Sequence, residues 1–167
     1  MTTYVIEGID GSGKSTLARS LAQTLGLTIQ ESEGPPKFRG EMNQRVKRYF
    51  TMERTLFVRH PCISQPLYTR CVRREEDIGI HADLIEAFYA TKPIVIYCDP
   101  ITENLDNHVV KEGEDPAHLK ALDERYSDLL TAYRLWAAQN ALVCYRIGDS
   151  VDRLTRIIDY ALHRGQR

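Results

Sequence analysis

The sequence has no long apolar run. No stretch approaches the roughly 20 residues that a membrane-crossing helix needs, and the chain opens Met1-Thr-Thr-Tyr-Val-Ile without a basic leader or a cleavage site, so a cytoplasmic protein is expected. Cysteine is scarce and unpatterned. Cys62, Cys71, Cys98 and Cys144 make no C-x-x-C pair and have no histidine at ligand spacing, which argues against a zinc site and a disulfide framework and leaves reduced structural thiols. An excess of one charge is missing too. Lys and Arg number 22 and Asp and Glu 23, a formal net charge of -1, so no net field draws the chain toward a phosphate polymer. Repeats and low-complexity tracts are absent. What is left is a 167-residue chain, 43% apolar and 27% charged, which suits one globular domain over 1–167 with a single core.

Strand and helix patterns alternate along it. Tyr4 to Glu7 reads as a short apolar strand running into a Gly-rich turn, and the Leu17, Leu21, Leu25 spacing that follows is a helix face. Gly26 stops that helix, Leu27 to Gln30 reads as a second strand, and Gly34-Pro35-Pro36 breaks it. A helix over Glu41 to Arg48 and a strand over Arg54 to Val58 are expected next, with Pro61 ending that strand before a segment led by Ser64 that starts another helix. Ala82 to Tyr89 is helical. Pro93 to Cys98 is a continuous apolar run closed by Asp99-Pro100, as in a strand buried on both faces. Polar Lys111-Glu-Gly-Glu-Asp-Pro116 reads as the middle of a lid over about 107–118, followed by a long helix from Ala117 to Gln139. A last strand over Ala141 to Ile147 and a last helix over Val151 to His163 complete a three-layer α/β fold with a parallel sheet of about five strands.

Between the first strand and the first helix lies Gly8-Ile-Asp-Gly-Ser-Gly13-Lys14-Ser15, which fills every fixed position of G-x-x-x-x-G-K-[ST]. Glycines let the backbone turn tightly and aim successive N–H groups inward, a concave nest for polyphosphate oxygens at the positive end of a helix. Lys14 neutralises the outer phosphates of ATP in this reading. The Ser15 hydroxyl is the Mg²⁺ ligand, Thr16 is its helix-starting neighbour, and Gly8, Asp10, Gly11, Ser12 and Gly13 complete the loop. The loop alone leaves the acceptor open, because water, a hydroxyl or a phosphate can all be attacked by the same machinery.

Tyr4-Val-Ile-Glu-Gly-Ile-Asp-Gly-Ser-Gly-Lys-Ser-Thr16 resembles the thymidylate kinase family, whose phosphate loop is preceded by Glu-Gly and carries an Asp where Asp10 stands. The resemblance implies that Asp10 contacts the 3′-hydroxyl of a deoxynucleoside monophosphate. Arg59-His60-Pro-Cys-Ile-Ser64-Gln65-Pro-Leu-Tyr68 is similar to the family's Asp-Arg-(Tyr or His), Ser, Ala-Tyr-Gln stretch after the third strand. Arg59 then holds the acceptor phosphate, a task suited to a planar guanidinium, and Ser64, Gln65 and Tyr68 line the base pocket. Glu33-Gly34-Pro35 falls where the family has Arg-Glu-Pro-Gly, placing Glu33 or Arg39 near the acceptor, and 93–133 resembles the family's C-terminal half.

Departures from the pattern matter as much. Val58 stands where the family has an Asp before its Arg, so Asp99, or Glu7 at the base of the loop, has to support Mg²⁺ in its place. The family's catalytic Arg is absent as well, with Gly11 in the loop and only Lys111 in the lid. Arg70, Arg73, Arg74 and Arg125 are the candidates to close on the transferring phosphate, and the short chain suggests a trimmed, phage-like version. The resemblance implies ATP- and Mg²⁺-dependent phosphorylation of a deoxynucleoside monophosphate, thymidylate or a related pyrimidine, by a protein that is often a homodimer. Two alternatives stay open. One is a kinase of the hydroxymethyl group of 5-hydroxymethyluracil, as nucleotide or in DNA, with Glu33 or Asp99 as base. The other is a nucleotide-dependent switch without a small acceptor.

Overall fold

The computed structural model describes residues 2–73, 79–102 and 116–164. Five parallel strands form one sheet in the order β2-β3-β1-β4-β5: β1 (Tyr4–Glu7), β2 (Thr28–Gln30), β3 (Thr55–Val58), β4 (Ile94–Cys98) and β5 (Val143–Tyr145). Register follows the period-2 rule of a pleated strand. Ile6 faces Val58 and Ile96, and together with Leu56 these side chains pack under α1 (Lys14–Leu25) and α7 (Val151–Arg164) through Leu17, Leu21 and Ile158. Val5, Phe57 and Val95 point to the opposite face, against α2 (Glu41–Tyr49), α3 (Pro61–Tyr68) and α4 (Ala82–Ala90) through Met42, Val46, Ile63 and Phe88. The sheet is thus the middle of three layers, as the apolar runs at β1 and β4 imply.

A third apolar cluster lies beyond Tyr97 and places α5 (Pro116–Glu124) and α6 (Tyr126–Asn140) over the C-terminal ends of the strands, through Leu122, Tyr126, Leu129 and Tyr133. The chain departs from the sequence expectation at four places. Pro61 does not merely stop β3; it sits at the first position of α3, where its missing N–H has no helical partner to lose. Ser64 is therefore inside that helix. Pro66 returns no N–H to the Cys62 carbonyl, and α3 loosens into a π-helical turn over Thr69–Arg73. The long helix expected from Ala117 is two helices parted at Arg125, whose backbone is non-helical at φ -117, ψ 10. Of the lid expected over about 107–118, residues up to 115 lie outside the described part, and 116–118 already belong to α5. The last strand covers only Val143–Tyr145. No helix among the described residues is long and apolar enough to cross a membrane.

Leu21 is fully buried in the α1 face, whereas Leu135 is 66% exposed. Leu21→Ala is expected to cost about 2–5 kcal/mol of unfolding free energy, and Leu135→Ala to stay within about 0.5 kcal/mol of the parent. Urea unfolding of the three proteins checks this.

Candidate functional site

The chain reverses its direction of travel across the sheet at β1, with β3 on one side and β4 on the other. In open parallel sheets the crevice beyond such a switch point is where ligands bind. Three strand ends meet there: β1 delivers the 8–16 loop, β3 delivers Arg59, and β4 delivers Asp99.

The loop has the backbone that its glycines promise. Gly8 adopts φ 149, and a Cβ there would lie 2.5 Å from the Cys98 carbonyl oxygen; Gly13, the left-handed N-cap of α1, would drive one to 2.6 Å from Ile147. Only glycine fits at either position. Ser12 Oγ donates to the Ile9 carbonyl at 2.8 Å, and Lys14 Nζ donates to the same carbonyl at 2.5 Å and to Ser12 Oγ at 3.4 Å. The Lys14 ammonium thus lies along its own loop, 8% exposed, and burial together with the Arg59 charge pulls it down to about 8. Ser15 is half-buried on the first turn of α1 and Thr16 is exposed beside it.

Arg59 holds the site together. It takes a left-handed backbone, φ 66, which costs a non-glycine residue about 1–2 kcal/mol. Its Nη2 donates to Asp10 Oδ1 at 2.6 Å and to the Tyr68 hydroxyl at 2.8 Å, Nε reaches the Gly8 carbonyl at 3.4 Å, and the guanidinium lies 5.1 Å from the centre of the Tyr68 ring. Tyr68 closes the triangle by donating to Asp10 Oδ2 at 2.7 Å. Burial works to raise the Asp10 carboxyl, but the Arg59 and Lys14 charges overcome it and hold the group well below the ordinary carboxylate range. Tyr126 Oη adds a bond to the Asp10 carbonyl at 3.3 Å.

From this triangle a cleft of about 520 Å³, counted to its open mouth, runs between the 32–35 turn, α2 and α3. Arg59, Ser64, Gln65 and Tyr68 line one wall, and Glu33, Met42, Arg45 and Tyr49 the other. The sequence reading anticipated Glu33, Arg59, Ser64, Gln65 and Tyr68, and the fold brings all five together. Ser64 Oγ donates back to the His60 carbonyl at 3.1 Å, and Gln65 Nε2 donates to Thr69 Oγ1 at 3.2 Å. Glu33 accepts from Arg48 and, at 2.8 Å, from the Tyr49 hydroxyl. Burial works to raise the Glu33 carboxyl, but the bonds from Arg48 and Tyr49 together with the Arg48 and Arg45 charges hold it below its usual range.

Arg45 and Tyr49 were not anticipated. Arg45 is 5% exposed, ion-paired with Glu41, and donates from Nη1 to the Gly34 carbonyl at 2.6 Å, so it fixes the turn that carries Glu33. The Glu41, Arg45, Tyr49 spacing of four residues, one face of α2, was the signal available. Arg70 is exposed on the π turn and does not line the cleft, and Arg39 is exposed as well. Arg125 pairs with Asp128 at 3.7 Å. Arg74 and the Arg73 side chain lie outside the described part.

Asp99 and Glu7, the two carboxylates expected to support a metal, are both occupied. Asp99 accepts from Arg134 Nε at 2.9 Å, from Arg146 Nη2 at 2.5 Å and from the Tyr97 hydroxyl at 3.1 Å. Burial would raise its carboxyl, but the two arginines lower it. Arg134 and Arg146 come from α6 and from the turn after β5, too far along the chain for any spacing rule to have joined them to Asp99. Glu7 is fully buried; it accepts the His60 N–H at 2.7 Å and the Tyr133 hydroxyl at 3.1 Å. Among the described residues no group of three or more His, Cys, Asp or Glu gathers to hold a metal ion. The Ser15 hydroxyl that the sequence reading assigns to Mg²⁺ is a hard oxygen donor on the first turn of α1. That fits an ion that keeps several waters and shares substrate phosphate oxygens.

A family profile described as ATPase family associated with various cellular activities (AAA) matches residues 4–63, from β1 into α3. No curated protein matches the chain in sequence. Among solved structures, deoxyadenosine kinase from M. mycoides with bound dATP matches with a TM-score of 0.61 at 15% identity, covering 96% of this chain and 99% of that one. The YorR protein from Bacillus subtilis, in complex with phosphorylated GDP, matches with a TM-score of 0.58 at 17% identity, covering 99% and 98% respectively. Thymidylate kinase from Candida albicans gives a TM-score of 0.52 at 11% identity, covering 99% and 92%. The fold is the α/β P-loop kinase fold.

The Lys14 ammonium sits below its ordinary value of 10.5, at about 8, so the unfolded chain binds more protons between those values and stability rises with pH across that window. Relative to Lys14→Met, which does not titrate, the wild-type protein is expected to gain on the order of 2–3 kcal/mol from pH 8 to pH 10.5. Paired urea melts across that range measure it.

Proposed function

We propose that the chain is a P-loop nucleotide kinase that moves the terminal phosphate of ATP onto a deoxynucleoside monophosphate, thymidylate or a related pyrimidine. The observation that carries this reading is the position of Arg59. One guanidinium belongs to both halves of the site, bonded to Asp10 of the phosphate loop while lining the cleft between Glu33 and Tyr68. Among the described residues its Nη1 group makes no hydrogen bond, which leaves donors for an acceptor phosphate oxygen. A guanidinium fixed in this way holds the acceptor in line with the donor, and positioning of this kind supplies much of the rate in phosphoryl transfer.

Lys14 neutralises the outer phosphates of the donor, and the inward N–H groups of 8–16 bind their oxygens. Mg²⁺ held at Ser15 supplies charge neutralisation at those phosphates when bound. A phosphate acceptor is already an anion, so no general base is required. The Asp10 carboxylate is committed to Arg59 and Tyr68, and holding a ribose 3′-hydroxyl becomes a second task for it at the mouth of the cleft. Exposed Arg146, anchored by Asp99 next to the Ile147 that overlies Gly13, is a better stand-in for the missing catalytic Arg than Arg70.

One observation favours a second reading. Glu33 lines the same cleft, where a base for a hydroxyl acceptor would stand, and a hydroxymethylated pyrimidine is the acceptor that this position admits.

An ADP-release panel with each nucleoside monophosphate, hydroxymethylated pyrimidines, and single-stranded and duplex DNA separates these readings. Thymidylate is expected to raise ADP release at least about 10-fold over ATP alone, and Lys14→Ala to abolish it. Arg59→Lys, which loses the fork geometry, is expected to raise the acceptor KM about 10- to 100-fold, a loss of about 1.4–2.7 kcal/mol, and to leave nucleotide affinity nearly unchanged. Activity on DNA alone, or no response to any acceptor, overturns the proposal.

A further inference from the structure

A left-handed backbone at a non-glycine residue persists only where its surroundings hold it. At the end of β3 two consecutive N–H groups are captured by β1. Arg59 N–H donates to the Ile6 carbonyl at 2.9 Å, which continues the sheet ladder. His60 N–H, turned out of the ladder by the left-handed residue before it, donates to Glu7 Oε1 at 2.7 Å. His60 is 2% exposed, so this N–H has no route to bulk water, and an acceptor at the Glu7 position is the condition for the turn. The other carboxyl oxygen of Glu7 accepts from Tyr133 of α6, which fixes the carboxyl plane.

We infer that Glu7 is the positioning residue of the site: by capturing the His60 N–H it holds Arg59 in the conformation that sends the guanidinium to Asp10 and into the acceptor cleft. This deepens the proposed function and rests on its reading of Arg59 as the acceptor-facing cation. The contact works through hydrogen-bond geometry, not charge. Lys14, Arg59 and the hydroxyl of Tyr133 surround Glu7, and burial pushes its carboxyl up to about 7, against an ordinary value of 4.5. The group crosses between acid and carboxylate near neutrality, and both forms present an oxygen lone pair to the His60 N–H. The neighbouring His60 ring adds no charge, since burial pushes it down to about 3.

Glu7→Gln and Glu7→Asp decide the matter, because both keep a polar side chain and they part charge from reach. Gln keeps the length and a carbonyl oxygen but no charge. Asp keeps the charge on a chain one methylene shorter. Two readouts apply: acceptor KM with ATP and thymidylate, and hydrogen exchange at the His60 amide in the protein alone. Glu7→Gln is expected to keep the acceptor KM within about 2-fold and the His60 amide protected. Glu7→Asp is expected to raise that KM at least about 10-fold, with nucleotide Kd within about 2-fold, and to speed His60 exchange at least about 10-fold. The inference is overturned if Asp preserves either readout as well as Gln does, or if Gln is impaired as much as Asp. If thymidylate is no acceptor for the wild-type protein, the proposed function fails, yet the exchange ordering of the two variants still decides the role of Glu7.

Discussion

The ion pair between Arg59 and Asp10 is the constraint from which the rest of the site follows. It joins the end of β3 to the phosphate loop after β1, two strands that are neighbours in the sheet. Side chains of both partners are 17% exposed. Removing one member of such a pair leaves an uncompensated charge and costs about 3–5 kcal/mol, well above the 1–2 kcal/mol or so of the left-handed backbone at Arg59. The pair and the His60 N–H bond to Glu7 together hold that strain in place. The same pair ties the loop after β1 to the cleft, since one partner belongs to the loop and the other to the cleft wall.

Charge around the strand ends is balanced locally, which explains how a chain with a net charge of -1 can build a site for anions. Lys14 and Arg59 face Glu7 and Asp10, while Arg134 and Arg146 face Asp99. Arg59, Arg134 and Arg146 are each held by a carboxylate and Lys14 by its own loop, so no net field extends far into solvent. Bulk charge is silent about such a site because it sums these pairs to nearly nothing.

Local patterns made the frame legible, and long-range pairing hid the rest. The phosphate loop could be read because all of its requirements fall within consecutive residues: glycines where φ is positive, Lys14 and Ser15 at the start of a helix. β1 and β4 were legible as apolar runs because both of their faces are covered. Pro61 was misread since a proline after a strand has the same local signature whether it ends one element or begins the next. Arg59 stood out through its place after β3. The partners of Asp99 and Glu7 did not, because Arg134, Arg146 and Tyr133 are brought in by α6 and β5, elements whose positions only the packed sheet decides. A strand-end carboxylate reads as a metal ligand until the cations that claim it are in view.

The preference for tyrosine over phenylalanine, nine against four, has the same origin. Each carboxylate near the site is bonded by a tyrosine hydroxyl: Glu7 by Tyr133, Asp10 by Tyr68, Glu33 by Tyr49 and Asp99 by Tyr97. All four rings are buried, in the cluster under α6 or in the layer formed by α2 to α4. A tyrosine covers apolar area with its ring and brings one donor to a carboxylate with its hydroxyl, and two of the four carboxylates, Glu7 and Asp99, are buried. Phenylalanine would pack as well and leave a carboxylate lone pair without a partner, a penalty of about 1–3 kcal/mol at a buried site. Lysine or arginine in those places would add charge that the local balance does not need. The core beneath the crevice thus does two tasks with one residue type, and the rigidity of the carboxylates that orient Arg59, Arg134 and Arg146 derives from the packing of the hydrophobic layers below them.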